Sequence, residues 1–332
     1  MAELKLATAT DYEDRPQVLL TVRPSPALFP PLFHQKFRML KPWESGMPLH
    51  QFLTTHDAGP SVRAMIINHA TAVNAELLRL LPALGLVLST STGVNQVDLA
   101  ECRRRGISVA NAGSAYTEDV ADMAVGLLID VLRRVSAADR YVRHGLWKTR
   151  GDFPLATKLG GKRVGIVGLG RIGSEVSRRL EAFGCSISYN SRNKKPSIAY
   201  PFHSTIRELA ANNDVIILCC SLTDQTRHIV DKEVLSALGK EGVIINVGRG
   251  ALMDEKELVI SLAHGEIRGA GLDVFENMPD VPQELFEFDS VVLSPHRAAF
   301  TSESFQDTAA ILIANLEAFF SNKPLVTPVT DD

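Results

Sequence analysis

The feature that most constrains the fold of this chain is a regular alternation of short apolar runs with amphipathic segments. The segments between the runs repeat apolar residues at helical spacing. Such alternation predicts an α/β fold built from doubly wound parallel sheets that are covered by helices. Four apolar runs precede residue 114 (QVLLTV, AMIINHA, LGLVLSTSTG and GISVANAG), and five follow residue 162 (RVGIVGLG, CSISYNS, DVIILCCSL, GVIINVGRG and GAGLDVF).

The length of 332 residues exceeds that of one ordinary domain and fits two. The two series of strands are separated by residues 117–145, which predict one long helix, or a broken one, with Thr117 as its N-cap. Residues 302–322 predict a final amphipathic helix, capped by Ser302 or Ser304. With no partner of its own beside the last strand, VVLSPH, this helix is expected to pack back on the first domain.

Composition excludes several classes of function. The formal net charge is −3, so the chain carries no overall attraction to nucleic acid or to an anionic membrane. Its most apolar stretches contain acids and are shorter than a membrane span, and its acidic start lacks the apolar core of a signal peptide. Four cysteines show no metal-ligand spacing, which predicts no metal site and buried thiols in a reducing, cytoplasmic compartment (Cys102, Cys185, Cys219 and Cys220).

A glycine-rich turn follows the first strand of the second series. Gly168, Gly170 and Gly173 form a G-x-G-x-x-G pattern that closes a strand, opens a helix and leads to another strand. Glycines at these positions permit a tight turn and a close approach of the backbone to a pyrophosphate on the helix N-terminus. The pattern therefore predicts a dinucleotide site, with a purely structural turn as the alternative.

The end of the next strand predicts which dinucleotide binds. An NAD site places an acid there to accept hydrogen bonds from the ribose, whereas residues 190–195 read N-S-R-N-K-K. Arg192 and Ser191 suit a 2′-phosphate, which an acid would repel. We therefore expect NADPH rather than NADH, with Lys194 and Lys195 contributing to the site or forming a solvated turn.

Two further residues at strand ends predict a ketone reduction. Arg249 lies between two glycines after the run GVIIN, and His296 follows the run VVL. A guanidinium holds a substrate carboxylate and polarises the neighbouring carbonyl, and an imidazolium donates the proton that the carbonyl oxygen needs. Alternatively, Arg249 is a surface residue and His296 a structural one.

These motifs, with S-T-G-V-N-Q-V-D-L and G-A-G-L-D-V-F-E-N, resemble those of the D-isomer-specific 2-hydroxyacid dehydrogenases along nearly the whole chain. Within that family the chain is most similar to plant glyoxylate/hydroxypyruvate reductases and their hydroxyphenylpyruvate reductase relatives. The resemblance implies two Rossmann-like domains with a cleft between them, and a homodimer formed through the nucleotide domain. The implied substrate-binding domain is discontinuous, comprising residues 1–112 and 296–332, and the dinucleotide-binding domain comprises residues 113–295.

The resemblance also assigns individual residues. It gives Arg249 to substrate binding and His296 to acid/base catalysis, and it places the substrate carboxylate on backbone amides in the region of Ala70, Thr71, Ala72, Gly93 and Val94. The sequence N-H-A-T-A-V departs here from the glycine-containing version of relatives. The cofactor contacts it implies are Gly168, Leu169, Gly170, Arg171, Ile172, Gly173, Ser191, Arg192, Asn193, Cys220, Thr226, Val247, Gly248 and Asp273.

One position departs from the family pattern D-V-F-x-x-E-P, whose glutamate hydrogen-bonds the catalytic histidine. Here Met278 occupies that position, and Glu276 is a carboxylate two residues before it. The leading hypothesis is an NADPH-dependent reductase of small 2-oxo acids such as hydroxypyruvate and glyoxylate, which yields D-2-hydroxy acids. The alternatives are a reductase of aromatic, phenylpyruvate-like 2-oxo acids and a catalytically weak NADPH-binding sensor or partner-binding protein.

Overall fold

A computed structural model describes residues 15–21, 23, 28–55 and 59–330. The acidic N-terminal stretch, residues 1–16, lies largely outside these residues. The chain forms two compact units: the first contains the chain up to Tyr116 and again from Thr301, and the second runs from Thr117 to Phe300. Within the described residues, no helix is both long enough and apolar enough to cross a membrane.

The first unit is built on a five-stranded parallel sheet of order β2-β1-β3-β4-β5. Its strands are β1 (Gln17–Leu20), β2 (Arg38–Leu40), β3 (Ala64–Ile67), β4 (Leu86–Ser89) and β5 (Ser108–Ala110). Its helices are α1 (Pro31–Lys36), α2 (Leu49–Thr55), α3 (Ala75–Arg79) and α4 (Leu99–Arg104). Four of the five strands coincide with predicted apolar runs; β2 was missed, because three residues beginning with an arginine give too short a pattern.

Helix α12 (Ser302–Phe320) returns to this first unit, as predicted. Its residues Leu312 and Leu316 are fully buried, in one cluster with Phe33 and with strand residues of β1, β3 and β4. A second cluster packs α2, α3 and α4 on side chains of the same strands. The sheet is therefore covered on both faces. The predicted caps, Ser302 and Ser304, were wrong: Thr301 is the N-cap, and Ser304 completes a capping box with it.

The second unit is built on a six-stranded parallel sheet of order β11-β10-β9-β8-β6-β7. Its strands are β6 (Arg163–Val167), β7 (Ser186–Asn190), β8 (Val215–Leu218), β9 (Val243–Asn246), β10 (Gly269–Leu272) and β11 (Val291–Leu293). Helices α8 (Arg171–Ala182), α9 (Ile206–Ala211), α10 (Lys232–Leu238) and α11 (Glu255–Ala263) connect the strands. The doubly wound parallel sheets that the alternating pattern predicts are thus present in both units.

A broken helix opens the second unit. Helix α5 (Thr117–Arg133) packs on α8 and on β10, and Arg134 then adopts a left-handed conformation with φ of 58°. The chain continues as α6 (Val135–Arg143) and α7 (Leu146–Arg150). The break agrees with the alternative of an interrupted helix. Thr117 is the first helical residue of α5 rather than the residue before it.

The packing of α12 gives a test of the first unit. Leu316→Ala removes a fully buried side chain, so we expect it to lower the free energy of unfolding by about 2–5 kcal/mol. Gln306→Ala, on an exposed face of the same helix, should change it by less than about 0.5 kcal/mol. Chemical denaturation of both variants measures the difference. Equal effects would contradict the burial of this helix in the core.

Candidate active site

The predicted nucleotide and catalytic residues of the second unit meet at one edge of its sheet. Because all six strands are parallel, the residues that follow their carboxyl ends lie along the same edge. Each strand contributes: Gly168 follows β6, Ser191 follows β7, Cys219 and Cys220 follow β8, Val247, Gly248 and Arg249 follow β9, Asp273 follows β10, and His296 lies three residues beyond β11.

The glycine-rich turn between β6 and α8 has the shape that a pyrophosphate requires. Gly168 adopts φ of 90°, and a Cβ there would lie 2.6 Å from backbone atoms of Cys220, so only glycine fits. A Cβ at Gly173 would lie 2.2 Å from the carbonyl oxygen of Gly168. Helix α8 begins after Gly170 without a side-chain cap, which leaves its first N–H groups for an anion. The residues present therefore fit a dinucleotide. Of its other predicted contacts, Leu169 is buried, Ile172 half-buried and Arg171 exposed.

The loop after β7 carries the residues predicted to select the cofactor. Arg192 and Asn193 are exposed and Ser191 is half-buried. The Ser191 hydroxyl donates to the carbonyl of Asn193 at 2.7 Å. The amide of Asn190 donates to the carbonyl of His203 at 2.9 Å, so the base of the loop is tied to the chain that returns from it.

The turn after β8 places the two adjacent thiols. Cys219 donates its backbone N–H to the carbonyl of Val167, which joins this turn to the glycine-rich one. Burial raises the pKa of the Cys220 thiol to about 11, so it is neutral at physiological pH. Thr226 closes the turn, accepting from the backbone N–H of Thr223 at 2.7 Å and donating to the carbonyl of Ser221 at 2.8 Å. Of the four free cysteines, Cys102 is buried as predicted, while the other three are half-buried.

Arg249 is a largely buried cation that has no acidic partner among the described residues. Its Nη1 donates to the carbonyl of Gly248 at 2.7 Å, and its own carbonyl accepts from the Asn246 side chain at 2.9 Å. Burial lowers the pKa of the guanidinium from its ordinary value, yet arginine remains charged at neutral pH. Among the described residues no carboxylate pairs with it. A charge held out of water in this way favours binding of an external anion.

His296 lies in a turn that is fixed by Asp273. The buried Asp273 carboxylate accepts from the Ser294 hydroxyl at 2.5 Å, from the Arg297 N–H at 2.8 Å and from the Ala298 N–H at 3.1 Å. The backbone N–H of His296 donates to the Asp273 carbonyl at 2.9 Å, and its φ is 55°, in the left-handed region that non-glycine residues rarely adopt. Asp273 thus holds the turn that contains His296 in place, a role that the sequence did not predict.

Glu276 pairs with a histidine that the sequence analysis missed. Its Oε1 lies 2.7 Å from Nε2 of His228, and its backbone N–H donates to the carboxylate of Glu255 at 3.2 Å. Burial raises the pKa of Glu255. His228 also adopts a positive φ, of 50°. The Glu276 carboxylate is therefore already bonded, and Met278 itself is 40% exposed. No sequence pattern pointed to His228, because it meets Glu276 only through the tertiary fold.

In the first unit, the predicted carboxylate-binding residues follow the adjacent parallel strands β3 and β4 and share a sheet edge. Two of the predicted amides are already occupied: the N–H of Ala70 donates to the side chain of Asn68 at 3.1 Å, and that of Thr71 to the Asn68 carbonyl at 3.3 Å. The Thr71 hydroxyl lies 2.8 Å from that of Thr21. Gly93 and Val94 are half-buried in the turn after β4.

Among the described residues, a glycine-rich turn, a helix without a side-chain cap and an arginine without an acidic partner share one sheet edge, and together they fit a dinucleotide-dependent enzyme with a site for an anion. Comparison with known proteins gives the particular family. Residues 125–298 match the NAD-binding domain of the D-isomer specific 2-hydroxyacid dehydrogenases. The chain belongs to this family, and it has no group of three or more potential metal ligands within the described residues.

Several relatives are similar along most of their length. The glyoxylate/hydroxypyruvate reductase HPR3 of Arabidopsis thaliana is 56% identical over 323 residues, which cover 97% of this chain and 99% of that protein. The hydroxyphenylpyruvate reductase of Plectranthus scutellarioides is 51% identical over 269 residues, covering 81% and 86%. The crystal structure of an NADPH-dependent glyoxylate/hydroxypyruvate reductase from Sinorhizobium meliloti, in complex with NADP and malonate, superposes with a TM-score of 0.86 at 36% identity, covering 96% and 97%.

The role of Asp273 can be separated from cofactor binding. Asp273→Asn removes the negative charge and leaves one oxygen to accept from the Ser294 hydroxyl and the Arg297 and Ala298 amides, so these bonds lose their charge assistance. We expect the kcat of the 2-hydroxyacid dehydrogenase reaction to fall by about ten- to hundred-fold, with a nearly unchanged Kd for the dinucleotide. Steady-state kinetics and calorimetric titration measure the two quantities. Asp280→Asn, an exposed change in the same segment, is the control. A raised Kd with unchanged kcat would instead assign Asp273 to the cofactor.

Proposed function

We propose that this protein is an NADPH-dependent reductase of small 2-oxo acids of the hydroxypyruvate and glyoxylate type, forming D-2-hydroxy acids. The observation that carries the proposal is the guanidinium of Arg249, which is largely buried and has no acidic partner among the described residues, because its fork matches the two oxygens of a carboxylate. The names of the Arabidopsis and Sinorhizobium relatives support the same substrates.

The chemistry divides between two side chains. When bound, NADPH supplies a hydride to the carbonyl carbon of the substrate. Arg249 holds the substrate carboxylate and draws electron density from the adjacent carbonyl. The His296 imidazolium donates a proton to the carbonyl oxygen, and the Asp273-anchored turn keeps the ring at the sheet edge. By family resemblance, we also assign substrate contacts to the turns containing Ala72 and Gly93.

The cofactor is proposed to be NADPH rather than NADH. The loop after β7 offers Ser191 and the exposed Arg192 to a 2′-phosphate and carries no acid between residues 190 and 195. The related Sinorhizobium enzyme was crystallised with NADP. The glycine-rich turn and the N-terminus of α8 would hold the pyrophosphate.

A reductase of aromatic 2-oxo acids is the second candidate, which the similarity to hydroxyphenylpyruvate reductase favours. NADPH consumption with hydroxypyruvate, glyoxylate and hydroxyphenylpyruvate, compared as kcat/KM, decides between the two. The same panel with NADH tests the cofactor. Tight NADPH binding without turnover of any 2-oxo acid would contradict both candidates and favour a sensor.

We further propose a cytosolic homodimer. Large apolar side chains are exposed along the segment that follows α5: Val135 (53%), Val142 (55%), Trp147 (63%) and Leu155 (99%). A second copy of the chain covering this surface would remove it from water. Four free thiols suit a reducing compartment.

Arg249 provides the first prediction for this function. Arg249→Ala should lower kcat/KM for the 2-oxo acid by about 100-fold or more, because the carboxylate loses a charge-assisted, bidentate partner. Arg249→Lys keeps the charge but not the fork and should recover only part of the activity. Kinetics at fixed, saturating NADPH measure the effect. Full activity of the alanine variant would remove Arg249 from the mechanism.

Met278 provides the second prediction. If Met278→Glu places a carboxylate beside the catalytic imidazole, it favours the protonated, proton-donating form. In a plot of kcat/KM against pH, the falling limb should then move to higher pH by about one pH unit. Met278→Gln is the uncharged control and should keep the wild-type limb.

Glu276→Gln completes this comparison. Because Glu276 bonds His228, its loss should leave the position of the falling limb unchanged. Identical limbs for Met278→Glu and Met278→Gln would show that position 278 does not tune the proton donor. A shifted limb in Glu276→Gln would assign that tuning to Glu276.

A further inference from the structure

The loop that carries Arg192 is closed at its base by one residue of β7. The backbone N–H of Tyr189 donates to the carbonyl of Pro201, and the carbonyl of Tyr189 accepts from the N–H of His203, both at 2.9 Å. Tyr189 also forms an isolated parallel bridge with Phe202. Residues 191–200 therefore leave the sheet and return to it at the same strand position.

The side chain of Tyr189 holds the same loop at a second point. Its ring is fully buried and packs on Phe202, with ring centroids 5.4 Å apart. Its hydroxyl oxygen accepts a hydrogen bond from the backbone N–H of Lys195 at 2.9 Å. A rigid, buried phenol thus fixes the middle of a loop whose outer residues are exposed.

Arg192 lies between these two attachment points. On one side the chain is part of β7 up to Asn190, and on the other the Lys195 amide is bound to the phenol. The bond from the Ser191 hydroxyl to the Asn193 carbonyl tightens the short stretch between them. Few backbone conformations satisfy all three constraints, so the direction in which Arg192 leaves the chain is restricted.

We propose that Tyr189 is a positioning residue for cofactor selectivity: its hydroxyl holds the 191–195 loop in the conformation that presents Ser191 and Arg192 to the 2′-phosphate of NADP. The inference rests on the proposed cofactor choice. Because the loop is ordered before binding, the phosphate does not have to order it. NAD, which lacks that phosphate, gains nothing from this preorganisation.

Tyr189→Phe tests the proposal, since it keeps the ring and removes only the acceptor. We expect the Kd for NADP⁺, measured by calorimetric titration, to rise about three- to ten-fold, while the Kd for NAD⁺ stays unchanged. Tyr116→Phe is the matched control, because it removes another buried phenol hydroxyl, one that donates to the carbonyl of Thr90 at 2.7 Å. It should leave the ratio of the two Kd values as in the wild type. An unchanged NADP⁺ affinity in Tyr189→Phe, or an equal loss for both dinucleotides, would overturn the proposal.

A second pair of variants tests the donor of this hydrogen bond without altering the core. Lys195→Pro eliminates the N–H that the phenol accepts, while Lys195→Ala keeps that N–H and removes the side-chain charge. The proline variant should bind NADP⁺ more weakly than the alanine variant and bind NAD⁺ equally well. This comparison keeps the test valid if Tyr189→Phe fails to fold, and equal NADP⁺ affinities of the two variants would count against the proposal.

A double-mutant cycle with Arg192→Ala separates this inference from the proposed function. If Tyr189 acts through Arg192, adding Tyr189→Phe to Arg192→Ala should weaken NADP⁺ binding no further. Selectivity lost in Arg192→Ala but retained in Tyr189→Phe would overturn only the role of Tyr189. Selectivity retained in Arg192→Ala would overturn the proposed cofactor choice, and this inference with it.

Discussion

Parallel hydrogen bonding of the six strands in the second unit is the constraint on which its whole site depends. Parallel pairing turns every carboxyl end toward one edge, so residues from distant parts of the sequence, such as Gly168 and Cys220, become neighbours. The small strand β10, Gly269–Leu272, is central to this arrangement, because it pairs with both β9 and β11. Arg249 follows one of these neighbours, and His296 follows the other.

The carboxylate of Asp273 continues this constraint beyond the end of β10. A buried charge is costly unless hydrogen bonds compensate for it, and here two backbone amides and one hydroxyl do so. The same bonds stabilise a histidine backbone that is unfavourable by itself. The left-handed conformation of His296 is therefore sustained by its surroundings, and the proposed proton donor is positioned by a residue that precedes it by 23 positions.

Local patterns in the sequence predicted most of this fold. Apolar runs gave nine of the eleven described strands, VVLSPH gave β11, and the spacing of Gly168, Gly170 and Gly173 gave the dinucleotide turn. What could not be predicted arises from contacts between distant segments. Three such contacts have no counterpart in the periodicity of the sequence. They are the pairing of His228 with Glu276, the hydrogen bonds between Asp273 and the His296 turn, and the hydrogen bonds that occupy the amides of Ala70 and Thr71. The cap of the last helix was predicted wrongly, because Thr301 and Ser304 are both part of the capping box and differ only in which of its two positions they occupy.

The different burial of the two arginines has a consequence for ionic strength. Arg192 is exposed, so dissolved ions screen its attraction for a phosphate. Arg249 is largely withdrawn from solvent, and its attraction for a carboxylate is screened much less. In the proposed roles of these two arginines, added salt weakens binding of the 2′-phosphate of the cofactor more than binding of the substrate carboxylate. Selectivity between the two dinucleotides then decreases as the salt concentration rises.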